Sequence, residues 1–92
     1  MARRISIFGK EHCGKCQATW SKVDHLVKKL GLVGQVEVLH YDMDSEEGMA
    51  EGAFRDVSEI PTTIVDDGGQ DMIRWAGVIP DSEEIQSALQ SP

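Results

Sequence analysis

Two hydrophobic patterns alternate along the first half of the chain. Residues 4–8 and 36–41 carry apolar side chains at alternating positions, many of them β-branched, which predicts two β-strands. Between them, residues 13–30 carry apolar side chains at alternating spacings of four and three, the period of an amphipathic helix. This stripe consists of Cys16, Trp20, Val23, Val27 and Leu30, with Leu26 beside it.

The middle of the chain predicts a weaker helix. Asp42 to Ser45 forms a turn, and either Asp44 or Ser45 can cap the helix that follows. This helix contains Gly48 and Gly52, and each glycine costs about 1 kcal/mol relative to alanine. We therefore predict that it is the weakest helix of the chain. Its apolar residues are Met49, Ala53, Phe54 and Val57.

The last third predicts a hairpin and a final helix. Residues 62–65 and 72–75 have the composition of strands. The segment Asp66-Asp67-Gly68-Gly69 between them is a hairpin signal, and we assign its acidic pair to the turn alone. Asp81 is placed to cap a helix that runs to about Leu89.

The resulting element order, β-α-β-α-β-β-α, predicts an α/β fold. A strand–helix–strand crossover implies that the first two strands are parallel, whereas the hairpin is antiparallel. We therefore predict an open, mixed four-stranded sheet flanked by three helices. A chain of 92 residues suits one domain, here 1–92, and an apolar share of 40% is typical of a folded one. We expect Phe8, Trp20 and Phe54 to lie in its core.

Charge argues against two classes of partner. The net charge is −7, which disfavours binding to nucleic acid or to an anionic membrane. No run of 18 apolar residues is present, and the apolar stretch Ile5–Phe8 behind the basic start is too short for a secretion signal. We therefore expect a cytoplasmic protein. Its charge is uneven, since residues 1–30 carry +5 and residues 31–92 carry −12.

Both cysteines lie in the basic segment, at the start of the first predicted helix. Cys13 and Cys16 are three positions apart, so a bridge between them closes too short a loop to stabilise the fold much. At a helix N-terminus, unpaired backbone N–H groups and the helix dipole stabilise a thiolate at Cys13 and lower the pKa of that thiol. Cys16, almost one turn further, is placed to attack a mixed disulfide on Cys13. This arrangement supports thiol–disulfide exchange.

Three basic side chains near the dithiol are further candidates. Lys10 and Lys15 add positive charge, and His12 can tune the thiolate or transfer a proton. Each of the three is also compatible with an ordinary solvated position. We include them among the candidate substrate-binding residues.

Metal binding is a competing use of this cysteine spacing. A zinc site needs four ligands, but the chain has no second cysteine pair and its only histidines are His12, His25 and His40. We therefore predict no metal site. The spacing is also compatible with an iron–sulfur cluster shared across a dimer, and with a binding module whose cysteines are redox-inert.

Three segments together resemble the thioredoxin superfamily. They are Cys13-Gly14-Lys15-Cys16, Ile60-Pro61-Thr62 and Trp75-Ala76-Gly77, and their order spans nearly the whole chain. The resemblance implies a cis proline at Pro61 facing the dithiol. It also implies that Ile60 offers its backbone N–H and C=O to an extended substrate strand, and that Gly77 lines the same groove. Trp75 either shapes this groove or covers the edge of the core.

Within the superfamily, the chain is most similar to the glutaredoxin-like NrdH redoxins. It begins directly with the strand before the dithiol and has Lys10 at the lysine position of glutaredoxins. Residues 75–81 resemble the tryptophan-x-glycine-x-x-proline-aspartate segment of NrdH redoxins. Glutaredoxins hold the glycine carboxylate of glutathione with polar or basic residues ahead of the proline. Here Glu59 stands in that stretch and would repel the carboxylate.

This resemblance implies a small oxidoreductase that reduces client protein disulfides. Its electrons would come from NADPH through the flavoprotein thioredoxin reductase, and its only redox group would be the Cys13–Cys16 disulfide, without a bound cofactor. We expect a monomer. A glutathione-dependent glutaredoxin is the competing function within the same class.

Overall fold

The computed structural model describes residues 3–91, and its elements follow the predicted order. Met1, Ala2 and Pro92, at the ends of the predicted domain, lie outside the described residues. No helix in the described part is both long enough and apolar enough to cross a bilayer. The elements are β1 (Arg3–Gly9), α1 (Gly14–Lys29), β2 (Val36–Asp42), α2 (Glu46–Phe54), β3 (Thr62–Asp67), β4 (Gln70–Ala76) and α3 (Ser82–Gln90).

The four strands form one mixed sheet in the order β2-β1-β3-β4. β1 and β2 are parallel and β3 and β4 are antiparallel, which confirms the two predicted pairings. β3 also pairs with β1 in antiparallel orientation, which the sequence did not predict. The register places Phe8 of β1 opposite Thr62 of β3, and Thr62 opposite Ala76 of β4. The segments that follow β1, precede β3 and follow β4 therefore meet at one end of the sheet, which we call the upper end.

The main core lies between the sheet and helices α1 and α3. Ile5 and Ile7 of β1 are fully buried there against the apolar stripe of α1, as the helical spacing predicts. Trp20 is half-buried and packs against this cluster, while Phe8 is fully buried and stacks on Tyr41. The other core residues are Val23, Leu26, Val27, Val36, Val65, Trp75, Ile85, Ala88 and Leu89.

Helix α2 packs through its glycines, so the prediction that Phe54 lies in the core is wrong. Phe54 is 84% exposed at the last position of α2, whereas Gly48 and Gly52 are buried. A Cβ at Gly48 would clash with the backbone of Asp42, and one at Gly52 would contact Met43. The missing side chains allow α2 to approach the end of β2 at Asp42 and the next residue, Met43. This close approach leaves the apolar side chain of Phe54 on the outside.

The acidic pair before the hairpin is also more than a turn, which corrects the sequence prediction. β3 extends to Asp67, and the turn is formed by Gly68 and Gly69 with positive φ. The side chain of Asp66 is completely buried. Its Oδ2 accepts hydrogen bonds from Arg4 Nη2 at 3.0 Å and from the backbone N–H of Gly69 at 2.9 Å.

A second arginine joins this buried carboxylate. Arg55 Nη2 lies 3.7 Å from Asp66 Oδ1, and Arg55 Nη1 donates to Ser6 Oγ at 3.0 Å. Hydrogen bonding and charge from Asp66 raise the pKa of Arg4 above its ordinary value. Arginine is in any case charged throughout the neutral range. The α2 face of the sheet is therefore held partly by an ion-pair network, which we call the Asp66 network (Arg4, Ser6, Arg55 and Asp66).

Candidate functional site

Cys13 occupies the N-cap position of α1 at the upper end of the sheet. Its backbone is extended, with φ −104° and ψ 111°, and its Sγ accepts a hydrogen bond from the backbone N–H of Cys16 at 3.1 Å. A sulfur therefore takes the place that a serine or aspartate oxygen usually takes at a helix start. The unpaired N–H groups of the first turn favour negative charge there. The geometry thus suits a thiolate at Cys13.

The two cysteines differ sharply in their access to solvent. Cys16 is fully buried, whereas Cys13 is half-buried. Their sulfur atoms are bonded, and their Cα atoms are 5.2 Å apart, within the usual range for a disulfide. An external thiol or disulfide can therefore reach Cys13, while Cys16 is restricted to reacting with Cys13.

Gly9 provides the space in which Cys16 is buried. A Cβ at this position would lie 2.7 Å from Cys16 Cβ and 2.8 Å from Cys16 Sγ, closer than real carbon atoms approach. Gly9 is the last residue of β1, and its carbonyl accepts a hydrogen bond from the backbone N–H of Met43 at 2.8 Å. The backbone is thus held in place, and any side chain here has to displace Cys16.

We expect Gly9→Ala to destabilise the protein by about 1–3 kcal/mol, because overpacking a closed site forces its neighbours to shift. The Gly14→Ala variant is the matched control, since a Cβ at Gly14 meets no atom within 4 Å. Urea unfolding of the oxidised proteins measures both changes. Equal midpoints for Gly9→Ala and the parent protein would show that Cys16 is not tightly enclosed.

The basic candidate residues all lie on the surface near the dithiol. Lys10, His12 and Lys15 are exposed, and Lys10 Nζ forms an ion pair with Asp44 Oδ1 at 3.4 Å. The ammonium group of Lys10 is thus directed towards the start of α2. The roles of these three residues towards substrate remain predictions.

The other candidate residues meet at the same end of the sheet. The Ile60–Pro61 peptide is cis, as the resemblance implies, and Pro61 is buried beside a half-buried Ile60. The backbone N–H of Gly77 donates to the carbonyl of Pro61 at 2.8 Å. Gly77 has φ +75°, a conformation that favours glycine. This hydrogen bond joins the segment after β4 to the segment before β3 and makes them one surface.

Trp75 lies in the core, which favours the second of its two predicted roles. It is almost fully buried, and its Nε1 donates to Glu84 Oε1 at 3.1 Å. The indole ring thus covers the edge of the core beneath α3.

Two features of this surface were not predicted from the sequence. Val78 and Ile79 are exposed directly after Gly77. The sequence signal for this exposed apolar pair was its position in a loop before Pro80. Glu59 is exposed, and its carboxylate lies over Gly77, where a Cβ would collide with Oε2. The position of Glu59 in the sequence indicated a negative charge near the groove, but it did not indicate the contact with Gly77.

The described residues contain no group of three or more histidine, cysteine, aspartate or glutamate side chains arranged to hold a metal ion. His25 lies on the exposed side of α1, and His40 stacks on Trp20, with ring centroids 5.4 Å apart. His25 therefore lies in α1 and His40 in β2, and among the described residues neither belongs to a group that could hold a metal ion.

Comparison with known proteins decides the family. The family model for the Thioredoxin domain matches residues 3–90. The chain belongs to the thioredoxin domain family. No curated protein sequence matches it significantly. The resemblance to the superfamily is thus confirmed over almost the whole chain, whereas the NrdH branch stays a prediction.

Solved thioredoxin structures share the fold of this thioredoxin-domain protein. Thioredoxin-2 of the malaria parasite is 19% identical with a TM-score of 0.81, over 99% of this chain and 84% of that one. Thioredoxin 1 of Thermosipho africanus is 21% identical with a TM-score of 0.75, over 95% and 90%. Fasciola hepatica thioredoxin is 24% identical with a TM-score of 0.72, over 96% and 78%. The four-stranded mixed sheet with three helices is therefore a thioredoxin-like fold.

A thioredoxin-family domain with a bonded cysteine pair three positions apart is a thiol–disulfide oxidoreductase. Proteins of this family act on client disulfides. In this member, Cys13 is half-buried and Cys16 is fully buried.

Proposed function

We propose that this protein reduces disulfides of client proteins with electrons from NADPH, delivered by thioredoxin reductase. The observation behind this proposal is the half-buried sulfur of Cys13 at the N-cap of α1, bonded to a fully buried Cys16. We further propose that the protein is a monomer and acts in the cytoplasm, where thiol pools are kept reduced.

The reaction has two exchange steps. The Cys13 thiolate attacks one sulfur of the client disulfide, the client S–S bond breaks, and the released client thiolate takes a proton from solvent. Cys16 then loses its proton and attacks Cys13 Sγ, which releases the second client thiolate and forms the Cys13–Cys16 disulfide. Two electrons have passed to the client. Thioredoxin reductase restores the dithiol with two electrons from NADPH.

Two features support thioredoxin reductase over glutathione as the electron donor. Residues 75–81 are similar to the corresponding segment of NrdH redoxins. In addition, Glu59 places a negative charge over Gly77 on the substrate surface. Glutathione carries two carboxylates, so a fixed negative charge at this surface disfavours its approach.

A reductase-preference assay tests this function. We expect NADPH to be consumed rapidly with thioredoxin reductase and a protein disulfide. Replacing the reductase by glutathione and glutathione reductase should slow turnover at least about tenfold, equivalent to about 1.4 kcal/mol. The Cys13→Ser variant supplies the background rate. Faster turnover with glutathione would identify a glutaredoxin, and a brown protein after anaerobic reconstitution with iron and sulfide would favour a cluster carrier.

A further inference from the structure

We propose that Glu59 selects client disulfides that have a lysine or arginine beside the reactive cysteine. This inference rests on the proposed reduction of protein disulfides and adds a substrate preference to it. Glu59 is thus a specificity-determining residue that contacts the client chain, and it takes no part in the exchange of sulfur bonds.

The backbone around Glu59 holds its side chain at the substrate surface. Its carbonyl accepts a hydrogen bond from Thr62 Oγ1 at 2.6 Å, which fixes the segment that leads into Pro61. Its carboxylate lies over Gly77, in space that any other residue at that position would fill with a Cβ. Gly77 in turn is tied to the carbonyl of Pro61. The carboxylate is therefore part of the same surface as Ile60, Pro61 and Gly77.

The charge of Glu59 is not neutralised within the described chain. No lysine, arginine or histidine among residues 3–91 forms an ion pair with it, whereas Asp44, Asp66 and Asp67 all have a lysine or arginine partner. The exposed basic residues near the dithiol are Lys10, in the loop before α1, and Lys15, in the first turn of α1; Lys10 pairs with Asp44. An unpaired carboxylate at a binding surface is available to a cation on the partner.

A client chain brings such a cation within reach. If an extended client segment pairs with the backbone of Ile60, side chains on the two strands lie about 4.5–5.5 Å apart at Cβ. The residue beside the client cysteine then faces the neighbourhood of Glu59. The carboxylate of Glu59 attracts a lysine or arginine at this client position and repels a glutamate. Because the charges on Glu59 and on the client residue are both partly exposed, the change in binding free energy is moderate and sensitive to salt.

Three disulfide-linked peptides that differ only in the residue beside the cysteine (lysine, glutamine or glutamate) provide the test. Stopped-flow reduction by the dithiol form at several peptide concentrations gives a limiting rate and a half-saturating concentration, the single-turnover counterparts of kcat and KM. We expect lysine to be preferred over glutamine and glutamine over glutamate. Glu59→Gln should shrink the lysine-to-glutamate ratio about threefold or more. Glu59→Lys should reverse the order, and the difference should appear in KM rather than in kcat.

Glu37→Gln is the matched control, because it removes the same charge from an exposed position opposite Arg4 in β2, far from the upper end. It should keep the parental ratio. Raising the salt from about 0.01 M to about 1 M shortens the screening length from about 30 Å to about 3 Å and should abolish the preference. Equal rates for the three peptides, or a parental ratio in Glu59→Gln, would overturn the proposal while leaving disulfide reduction intact. Failure to reduce any of them would overturn the proposed function as well.

Discussion

Cys13→Ser is expected to lower the rate of disulfide reduction roughly a thousandfold or more, to the uncatalysed background. Cys13 provides the half-buried sulfur of the pair, and a serine hydroxyl is not ionised at neutral pH. Cys16→Ser should have a different result. Cys13 can still attack the client, but no second thiol releases it, so the protein accumulates as a mixed disulfide with the client.

Mass spectrometry of the quenched reaction distinguishes these two outcomes. Cys16→Ser should gain the mass of one client chain, and the adduct should be released by dithiothreitol. Cys13→Ser should gain nothing, because Cys16 is fully buried. Full turnover by Cys16→Ser would refute the two-cysteine scheme, and an adduct on Cys13→Ser would assign attack to the inner sulfur.

Asp66→Ala should lower the free energy of unfolding by about 3 kcal/mol, the usual cost of removing one partner from a buried ion pair. The aspartate side chain is completely buried, and Arg55, 10% exposed, would lose one of its two counter-charges and keep Asp71 at 2.9 Å. At this chain length each kcal/mol corresponds to about 4–8 °C in Tm, so we expect a fall of roughly 12–24 °C. Calorimetry measures it, and the reductase assay below Tm should show normal activity.

Asp67→Ala is the control for this variant, because it removes the same group from the next residue. Asp67 is 26% exposed and contacts Arg3 at 3.6 Å, so its loss should cost no more than about 1 kcal/mol.

The pKa of Arg4 is raised in the folded state, so the stability that this arginine contributes is present below its ordinary pKa and is lost only as pH rises through the higher folded value. The difference between the two variants should therefore not diminish from neutral to mildly alkaline pH. Equal stability of the two variants would contradict the importance of the Asp66 network.

The order of the elements could be predicted from the sequence because hydrophobic spacing governs it, and the connections then gave the β1–β2 and β3–β4 pairings. The stripe on α1 and the alternation in β1 follow directly from which face is buried. The position of α2 could not be predicted in this way. Its contact face consists of Gly48 and Gly52, which have no side chain to appear in a hydrophobic pattern, and Phe54 was assigned to the core in their place.

The Asp66 network was missed for a related reason. An acidic pair before two glycines is typical of an exposed turn, and the partners of Asp66 are 62 and 11 residues away along the chain, at Arg4 and Arg55. The register between β1 and β3 places Arg4 opposite Asp66, and the packing of α2 on the sheet brings Arg55 to the same carboxylate. Single-sequence patterns report local neighbours and contain no information on such pairing.

The dithiol was the most predictable part of the site, since its chemistry lies within four consecutive residues. The N-cap position of Cys13 and the burial of Cys16 follow from the helical stripe and agree with the structure. The contact of Glu59 with Gly77 was beyond prediction, because it depends on how the segments before β3 and after β4 meet in space.

The length of β3 has a practical consequence for redesign. Thr62 lies at its upper end and Asp66 near its other end, and four residues of strand span about 13 Å. Substitutions separated by more than about 7–10 Å usually have additive effects on stability. Substitutions that alter the substrate surface should therefore leave the stability contributed by the Asp66 network unchanged. The same scaffold can then host different substrate specificities.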